Sequence, residues 1–411
     1  MIQLSRYEDE ERLKKLGNIW AFSNTEKMTF GCNRLWVYDY FQGYVDSDKA
    51  PALRYGIVWH RILECILLEI KRLDRMVSAD ECRSIYKDNI QWIIEEEEPP
   101  GEYGYSDNMI DIMDRAERCL EGWRQEWEQL MLQWNIVEIE KILVMPVYDR
   151  DGNLFAPPIP ILEEDNTYRP LKVGEWVEDA NIKIVTWPWY KVGKIDVLLQ
   201  HKTSGELMIV DHKTTAQVGA YESKMSFDMQ LPSYVSQLEW EKTHGELQQY
   251  KDNNIFGVMW DLATSKIPKY PKPLKSGKLS TAKSSPSWVF EESIKTYNLA
   301  IEDYQLHIEK LKLSDANYIK HCFMRASKEV VERIKWEDLA FVERVSKMRN
   351  ELPQICTSDI NELSVVAPRY PICNQYGRCK FSNLCVTNIA LSVIIKESSE
   401  KLFWTKDNKD T

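Results

Sequence analysis

Three runs of β-branched and apolar residues crowd together between Ile182 and Thr214, and they constrain the fold more than any other stretch of the chain. Ile182 to Trp189, Val192 to Gln200 and Leu207 to Thr214 read as successive antiparallel strands, with Ser204-Gly205 as the turn between the last two. Pairing around that turn brings Asp196, in Gly193-Lys194-Ile195-Asp196, close to Asp211, in Ile209-Val210-Asp211-His212-Lys213-Thr214. Side chains alternate along a strand, so Asp211 and Lys213 share a face and His212 points to the other. Two facing carboxylates repel each other, and a divalent cation would hold both ionised. Hard oxygen ligands suit Mg²⁺ or Mn²⁺, which can polarise a phosphate and acidify a bound water. A neighbouring ammonium can orient that water and stabilise charge on the phosphate. Taken alone, Asp-x-Lys also describes an exposed Asp–Lys surface pair.

The flanking segments read as helical. Leu53 to Met76 is apolar and free of proline, with His60 and Glu64 one turn apart on one face. Further helices are predicted over Asp80 to Glu97, Asp107 to Trp134, from Leu231 onward, Glu291 to Leu313 and Lys328 to Arg349. Ile136 to Tyr148 and Ile255 to Leu262 read as strands, and the proline-rich stretch through Asn181 reads as a loop. The expected organisation is a helical region over 1–134, a catalytic core over 135–262, a basic loop over 263–290 and a helical, cysteine-rich region over 291–411.

Other residues give the acidic pair a context. Gly56-Ile57-Val58-Trp59-His60-Arg61-Ile62-Leu63-Glu64 resembles the GxxxHxxLE helix of RecB-like nucleases, and Gln230-Leu231-Pro232-Ser233-Tyr234 resembles their QxxxY motif. Helix histidine, G-x-x-D, D-x-K and Q-x-x-x-Y occur in that family's order. The chain is thereby identified as similar to the PD-(D/E)XK superfamily, in its RecB-like, AddB-type branch. The resemblance implies an α+β fold in which a mostly antiparallel mixed sheet carries the active site between helices. It implies that His60, Asp196 and Asp211 bind Mg²⁺ or Mn²⁺ with the backbone carbonyl of His212, and that Lys213 is the catalytic lysine. Gln230 and Tyr234 would position the lysine or the DNA strand, and Glu64 would orient the region around His60.

Cys32 lies upstream of these motifs, and Cys373, Cys379 and Cys385 lie downstream. One early and three late cysteines resemble the iron–sulfur staple of AddB-type and CRISPR-adaptation nucleases, which implies a 4Fe-4S cluster. The spacing here is C-x5-C-x5-C, where the family commonly has C-x2-C-x5-C, so zinc or an empty site stays open and Cys356 is a further candidate. Cys65, Cys82 and Cys119 fall inside helices and read as core.

Charge and composition set limits on this reading. A net charge of −11 argues against a surface basic all over, so any contact with DNA must be local. The segment Ser265 to Ser285 supplies a local candidate, with Lys272, Lys275 and Lys278 on a Pro/Gly/Ser scaffold and no acidic residue; a solvated surface loop is the plainer alternative. Fifteen tryptophans serve either as core or as stacking platforms for nucleobases. There is no apolar run of membrane-spanning length, no signal-peptide pattern, no phosphate-binding GxxxxGK[ST] loop and no base-reading helix-turn-helix. The expected protein is a cytoplasmic, phage-type or bacterial exonuclease acting on DNA ends or single strands. Its expected partners are DNA and a helicase, or a single-strand-binding or recombination protein. The rival readings are a non-catalytic DNA-binding scaffold and a structure-specific endonuclease.

Overall fold

The hairpin around Ser204-Gly205 is present, but its two strands differ in length and in what they pair with. In the computed structural model, β8 (Trp189–His201) runs for 13 residues and β9 (Leu207–Thr215) for 9. The structure describes residues 19–29, 51–98, 105–156, 188–225, 228–281, 285–325 and 327–351. It also describes short strands at 44–46, 160–162, 168–170, 176–179, 182–185, 393–395 and 403–404.

The other strands are β1 (Ile19–Phe22), β2 (Tyr44–Asp46), β3 (Trp134–Pro146), β4 (Pro160–Leu162), β5 (Tyr168–Pro170), β6 (Trp176–Asp179), β7 (Ile182–Val185), β10 (Ile255–Thr264), β11 (Ile319–Met324), β12 (Val393–Ile395) and β13 (Phe403–Trp404). The helices are α1 (Asn24–Thr29), α2 (Pro51–Leu73), α3 (Ala79–Glu97), α4 (Asp107–Met131), α5 (Val218–Met225), α6 (Gln230–His244), α7 (Ser287–Thr296), α8 (Gln305–Lys312) and α9 (Lys328–Glu351).

Seven strands form the main sheet in the order β11-β10-β9-β8-β1-β13, with β3 also paired to β8. The pairs β9–β10 and β1–β8 are parallel and the other four are antiparallel, so the sheet is mixed and mostly antiparallel as expected. It draws β1, β11 and β13 from outside residues 135–262.

Each face of the sheet has its own helical cover. On one face α2 buries Tyr55, Val58, Trp59, Ile62, Leu63, Ile66 and Ile70 against α3, α4 and the sheet residues Val197, Leu199, Met208 and Val210. Burying an aliphatic side chain of this kind contributes about 1.5–3 kcal/mol, which is why a proline-free apolar stripe becomes a packed helix here. Ser78 and Glu81 form a reciprocal capping box that sets the start of α3, a device that contributes about 1 kcal/mol. On the other face α6 packs Leu231, Tyr234, Val235 and Leu238 against Leu143, Ile195, Ile209 and Trp260. A buried ion pair, Lys191 Nζ to Asp338 Oδ2 at 2.7 Å, ties α9 to β8. Trp59, Trp123, Trp127, Trp189 and Trp260 are fully buried, so these five are core.

Several expectations are corrected. Ile182–Val185 does not pair with β8; it forms a separate two-stranded sheet with Trp176–Asp179, and Trp189 belongs to β8 itself. The proline-rich stretch before it carries a further two-stranded unit, β4–β5. The helix expected over Glu291 to Leu313 is split into α7 and α8 by Asn298, which adopts the left-handed conformation at φ 51°. Strand β11 was read as neither helix nor strand in the sequence. Among the described residues, no helix is long and apolar enough to cross a membrane.

Candidate active site

The site lies where β8 parts from β9. Along one edge β8 pairs with β3 over its whole length, from Pro146 opposite Tyr190 to Trp134 opposite His201, with a register shift between Ile136 and Glu138. Along the other edge it pairs with β9 only from Val197 to Gln200, and with β1 only from Trp189 to Lys191. Residues between those two ladders face a fork, and Asp196 and Asp211 stand just beyond the last pair, Val197 with Val210. Gly193 sits inside the fork, where α6 comes close. A β-carbon there would lie 2.6 Å from Gln237 Oε1 and 3.0 Å from the Tyr234 ring, so any larger residue would have to displace the Gln237 amide.

The strand also loses its alternation at the fork. Ile195 packs with the α6 side of the sheet and Val197 with the α2 side, although residues two apart in a regular strand share a face. Asp196 occupies the switch between them. Across the ladder, Ile139 pairs with Val197 and Lys141 with Ile195, which leaves Glu140 opposite Asp196. Glu140 has φ 52°, a left-handed conformation that costs a non-glycine residue roughly 1–3 kcal/mol unless its surroundings hold it there. Two irregular residues on neighbouring strands thus bring two carboxylates together.

His60 and Lys213 complete the cluster. From α2, His60 Nδ1 lies 3.4 Å from Asp196 Oδ1. Ligand-capable atoms of His60, Glu140 and Asp196 all fall within 4.8 Å of one another. The backbone N–H of His212 donates to Asp196 Oδ2 at 2.6 Å. Lys213 Nζ lies 2.7 Å from Asp211 Oδ2 and donates to Gln230 Oε1 at 3.2 Å. The Gln230 amide is held in turn, because its Nε2 donates to the Tyr234 hydroxyl at 2.7 Å. The start of α6 is fixed by Asp228, whose Oδ1 accepts from the backbone N–H groups of Gln230 and Leu231.

Electrostatics show how crowded the acids are. Burial and the neighbouring Asp196 carboxylate push Glu140 up to about 7. Burial also raises Asp211, against the opposing pull of the Lys213 ammonium. Burial would lower His60, but the Asp196 carboxylate outweighs it and raises the imidazole to about 9. Asp196 is pulled below the usual carboxylate range because its His60, His212 and Lys213 contacts outweigh burial. Lys213 is raised because Asp211 and Asp196 outweigh its burial, so it stays an ammonium. An imidazolium and an ammonium thus balance an acidic cluster.

A divalent cation fits this donor set. Three carboxylates and an imidazole on the walls of one fork match hard-oxygen and borderline-nitrogen coordination. The proton that burial favours on Glu140 and the proton that Asp196 favours on His60 are what such an ion would displace.

Of the residues anticipated from the sequence, His60, Asp196, Asp211, His212, Lys213, Gln230 and Tyr234 are brought together in the fork. The His212 ring points to the opposite face, as alternation requires, where its Nδ1 lies 2.8 Å from Asp261 Oδ2. Glu64 is buried and accepts from Arg61 at 3.2 Å, one turn along from His60. Lys272, Lys275 and Lys278 are exposed on a turn closed by Leu274 N–H to Lys278 O and Ser280 N–H to Lys272 O. That turn follows β10, whose last residues pair with Thr214 and Thr215 beyond Lys213. Cys65, Cys82 and Cys119 are buried thiols, each pushed up to about 12 by burial. Cys32, Cys356, Cys373, Cys379 and Cys385 lie outside the described residues.

Glu140 was missed in the sequence, where it is one of several acids in a β-rich run. Its alignment with Asp196 was the only available signal, and that requires the register of β3 on β8.

A family model for the PD-(D/E)XK nuclease superfamily matches residues 22–385, a span that opens at the end of β1 and takes in every residue of the fork. No curated protein matches the chain. With the match covering most of the sequence and the acid–lysine pair standing at a strand fork, the chain belongs to the PD-(D/E)XK nuclease superfamily.

Proposed function

We propose that the protein is a Mg²⁺- or Mn²⁺-dependent deoxyribonuclease, an exonuclease that hydrolyses phosphodiester bonds at DNA ends or in single strands during recombination, replication or repair. The observation that carries this reading is the Lys213 ammonium, fixed by Asp211 and Gln230 beside the His60–Glu140–Asp196 cluster. A divalent cation held by His60, Asp196 and Asp211, with Glu140 and the His212 carbonyl as further donors, supplies polarisation of the phosphate and acidification of a water. The protein's own groups do the rest. Lys213, held beside Asp211, would orient the water or help to deprotonate it, and would stabilise charge on the phosphate. Tyr234 and Gln230 fix the reach of that ammonium. A scaffold without catalysis would not need the complete acid–lysine–glutamine set.

The exposed lysines at 272, 275 and 278 would follow a phosphate backbone without reading bases. Replacing all three by alanine is expected to weaken DNA binding and to lower the slope of log affinity against log salt by about 1 per lysine. Cleavage at saturating DNA should be unchanged, and an unaltered salt slope would remove the loop from the interface. The same reading takes Cys32, Cys373, Cys379 and Cys385 as ligands of a 4Fe-4S cluster, with zinc as the alternative. It rests on their order in the sequence, and iron, sulfide and zinc content of anaerobically purified protein decides it. Cytoplasmic action with a helicase, a single-strand-binding protein or a recombination protein completes the proposal.

Linear, circular and branched DNA separate the modes of action. Mononucleotides or short oligomers from linear DNA, with closed circles intact, are the expected result. Nicked circles or cuts confined to branch points would replace the exonuclease by a structure-specific endonuclease.

A further inference from the structure

The face of β9 turned away from the fork holds a second polar constellation. His212, Asp261 and His321 stand in one row across three adjacent strands, since Asp261 is the register partner of His212 on β9 and of His321 on β11. Three side chains converge on a single oxygen of Asp261. Trp123 Nε1 donates to Oδ2 at 2.7 Å and Trp127 Nε1 at 2.8 Å, and His212 Nδ1 lies 2.8 Å away. His321 Nε2 lies 3.4 Å from the other oxygen, Oδ1. Asp261, His212, Trp123 and Trp127 are all essentially inaccessible to solvent.

The arrangement fixes the chemistry of His212. An ionised carboxylate only accepts, so the imidazole carries its proton on Nδ1. Its Nε2 is buried with no hydrogen-bond partner, which disfavours a second proton there. Asp261 is thus the hydrogen-bond partner that anchors the ring. Although burial disfavours its charge, the hydrogen bond from His212 and the nearby His321 ring hold Asp261 below the usual carboxylate range. Packing by itself gives no reason for a buried carboxylate here, since an apolar side chain of similar size would fill the space without desolvating a charge.

What the anchored ring controls is its own backbone. The His212 N–H donates to Asp196 at 2.6 Å, and the residues on either side of it are Asp211 and Lys213. We propose that Asp261 is a positioning residue for the cation site, acting through His212: by fixing the imidazole on one face of β9, it fixes the peptide that aims Asp196, Asp211 and Lys213 on the other. The inference rests on the reading of the fork as a divalent-cation site. Groups that orient ligands from behind typically change metal affinity by about 10- to 100-fold when removed.

The test is Mn²⁺ binding to the full-length protein by electron paramagnetic resonance, with thermal unfolding of the metal-free protein measured alongside. Asp261→Asn is expected to weaken Mn²⁺ binding about tenfold or more. Trp123→Phe removes another donor from the same oxygen and leaves the Trp127 ring, which packs on His212, in place; it is expected to lower the unfolding temperature while leaving Mn²⁺ affinity within about twofold, given the ordinary spread of such indirect effects. His212→Phe carries the same prediction as Asp261→Asn and replaces it should that variant fail to fold. In the double variant the loss should not exceed that of the larger single change. Unchanged Mn²⁺ affinity in Asp261→Asn and His212→Phe, or an equal loss in Trp123→Phe, would overturn the inference and leave the cation site standing. A wild-type protein that binds no Mn²⁺ would overturn both.

Discussion

The two faces of β9 put alternate residues of one strand into opposite electrostatic conditions. On the fork side, Asp211 shares a small volume with Asp196 and Glu140, and burial and mutual repulsion raise two of these three acids. On the far side, Asp261 is buried more deeply, yet it stays ionised because tryptophan and histidine donors surround it. The first cluster holds acids that burial and repulsion raise, and the second holds an acid whose Oδ2 is fixed by three donors. Binding and catalysis need the first condition, since a site already neutralised has nothing to offer a cation. Holding the strand in place needs the second, since a carboxylate oxygen gripped by two indoles fixes the imidazole that donates to it.

The largest expected effect falls on the lysine that serves the crowded face. Lys213→Ala should lower cleavage by roughly 100- to 10,000-fold, the usual contribution of a positioned catalytic group. The fold should survive, because Lys213 is only partly buried and sits at the rim of the fork. Loss of folding in this variant, seen by circular dichroism, would mean that the lysine belongs to the structural face.

Glu140→Gln comes next and should move stability and affinity in opposite directions. A carboxyl raised to about 7 in the folded state destabilises the fold as it ionises, so the amide should raise the metal-free unfolding temperature at pH 8. It should weaken Mn²⁺ binding at the same time, by about tenfold for a lost carboxylate donor. A fall in both would place Glu140 among the structural ion pairs, through its 2.7 Å contact with Lys194.

The smallest expected effect is a pH dependence of stability. His60 is raised to about 9 when folded, so its pairing with Asp196 is complete below the ordinary histidine range and is lost as pH rises through 9. Glu140 contributes in the same direction at lower pH, its share disappearing as pH rises through 7. Metal-free protein should therefore lose a few degrees of unfolding temperature as pH rises from about 6.5 to 9, the histidine window set by its free and folded pKa values. His60→Asn should flatten that slope, and saturating Mn²⁺ should abolish it. A slope that persists in His60→Asn would assign the titration to another group.

How much of this was legible in the sequence follows from the range of each interaction. Asp211, His212 and Lys213 were readable because strand alternation alone decides which face each takes. Gln230, Tyr234 and His60 were readable through the resemblance of their motifs to those of RecB-like nucleases, since helical spacing by itself does not mark them as site residues. Glu140 was not, since its role depends on a left-handed residue interrupting β3 opposite the break in β8. Asp261 was not, because β9 and β10 pair in parallel, and no turn between them announces the register. The split between α7 and α8 was hidden for a different reason: Asn298 gives a weaker stop signal than glycine or proline.

The central claim is that the fork on the crowded face of β9 cuts DNA with a divalent cation and Lys213. Release of nucleotides from end-labelled linear DNA with Mg²⁺ or Mn²⁺, comparing the wild-type protein with Lys213→Ala, tests it most directly. The account predicts metal-dependent release that is removed by chelation and lost in Lys213→Ala. DNA that is bound but left uncut with either metal, or cleavage that survives in Lys213→Ala, would contradict it.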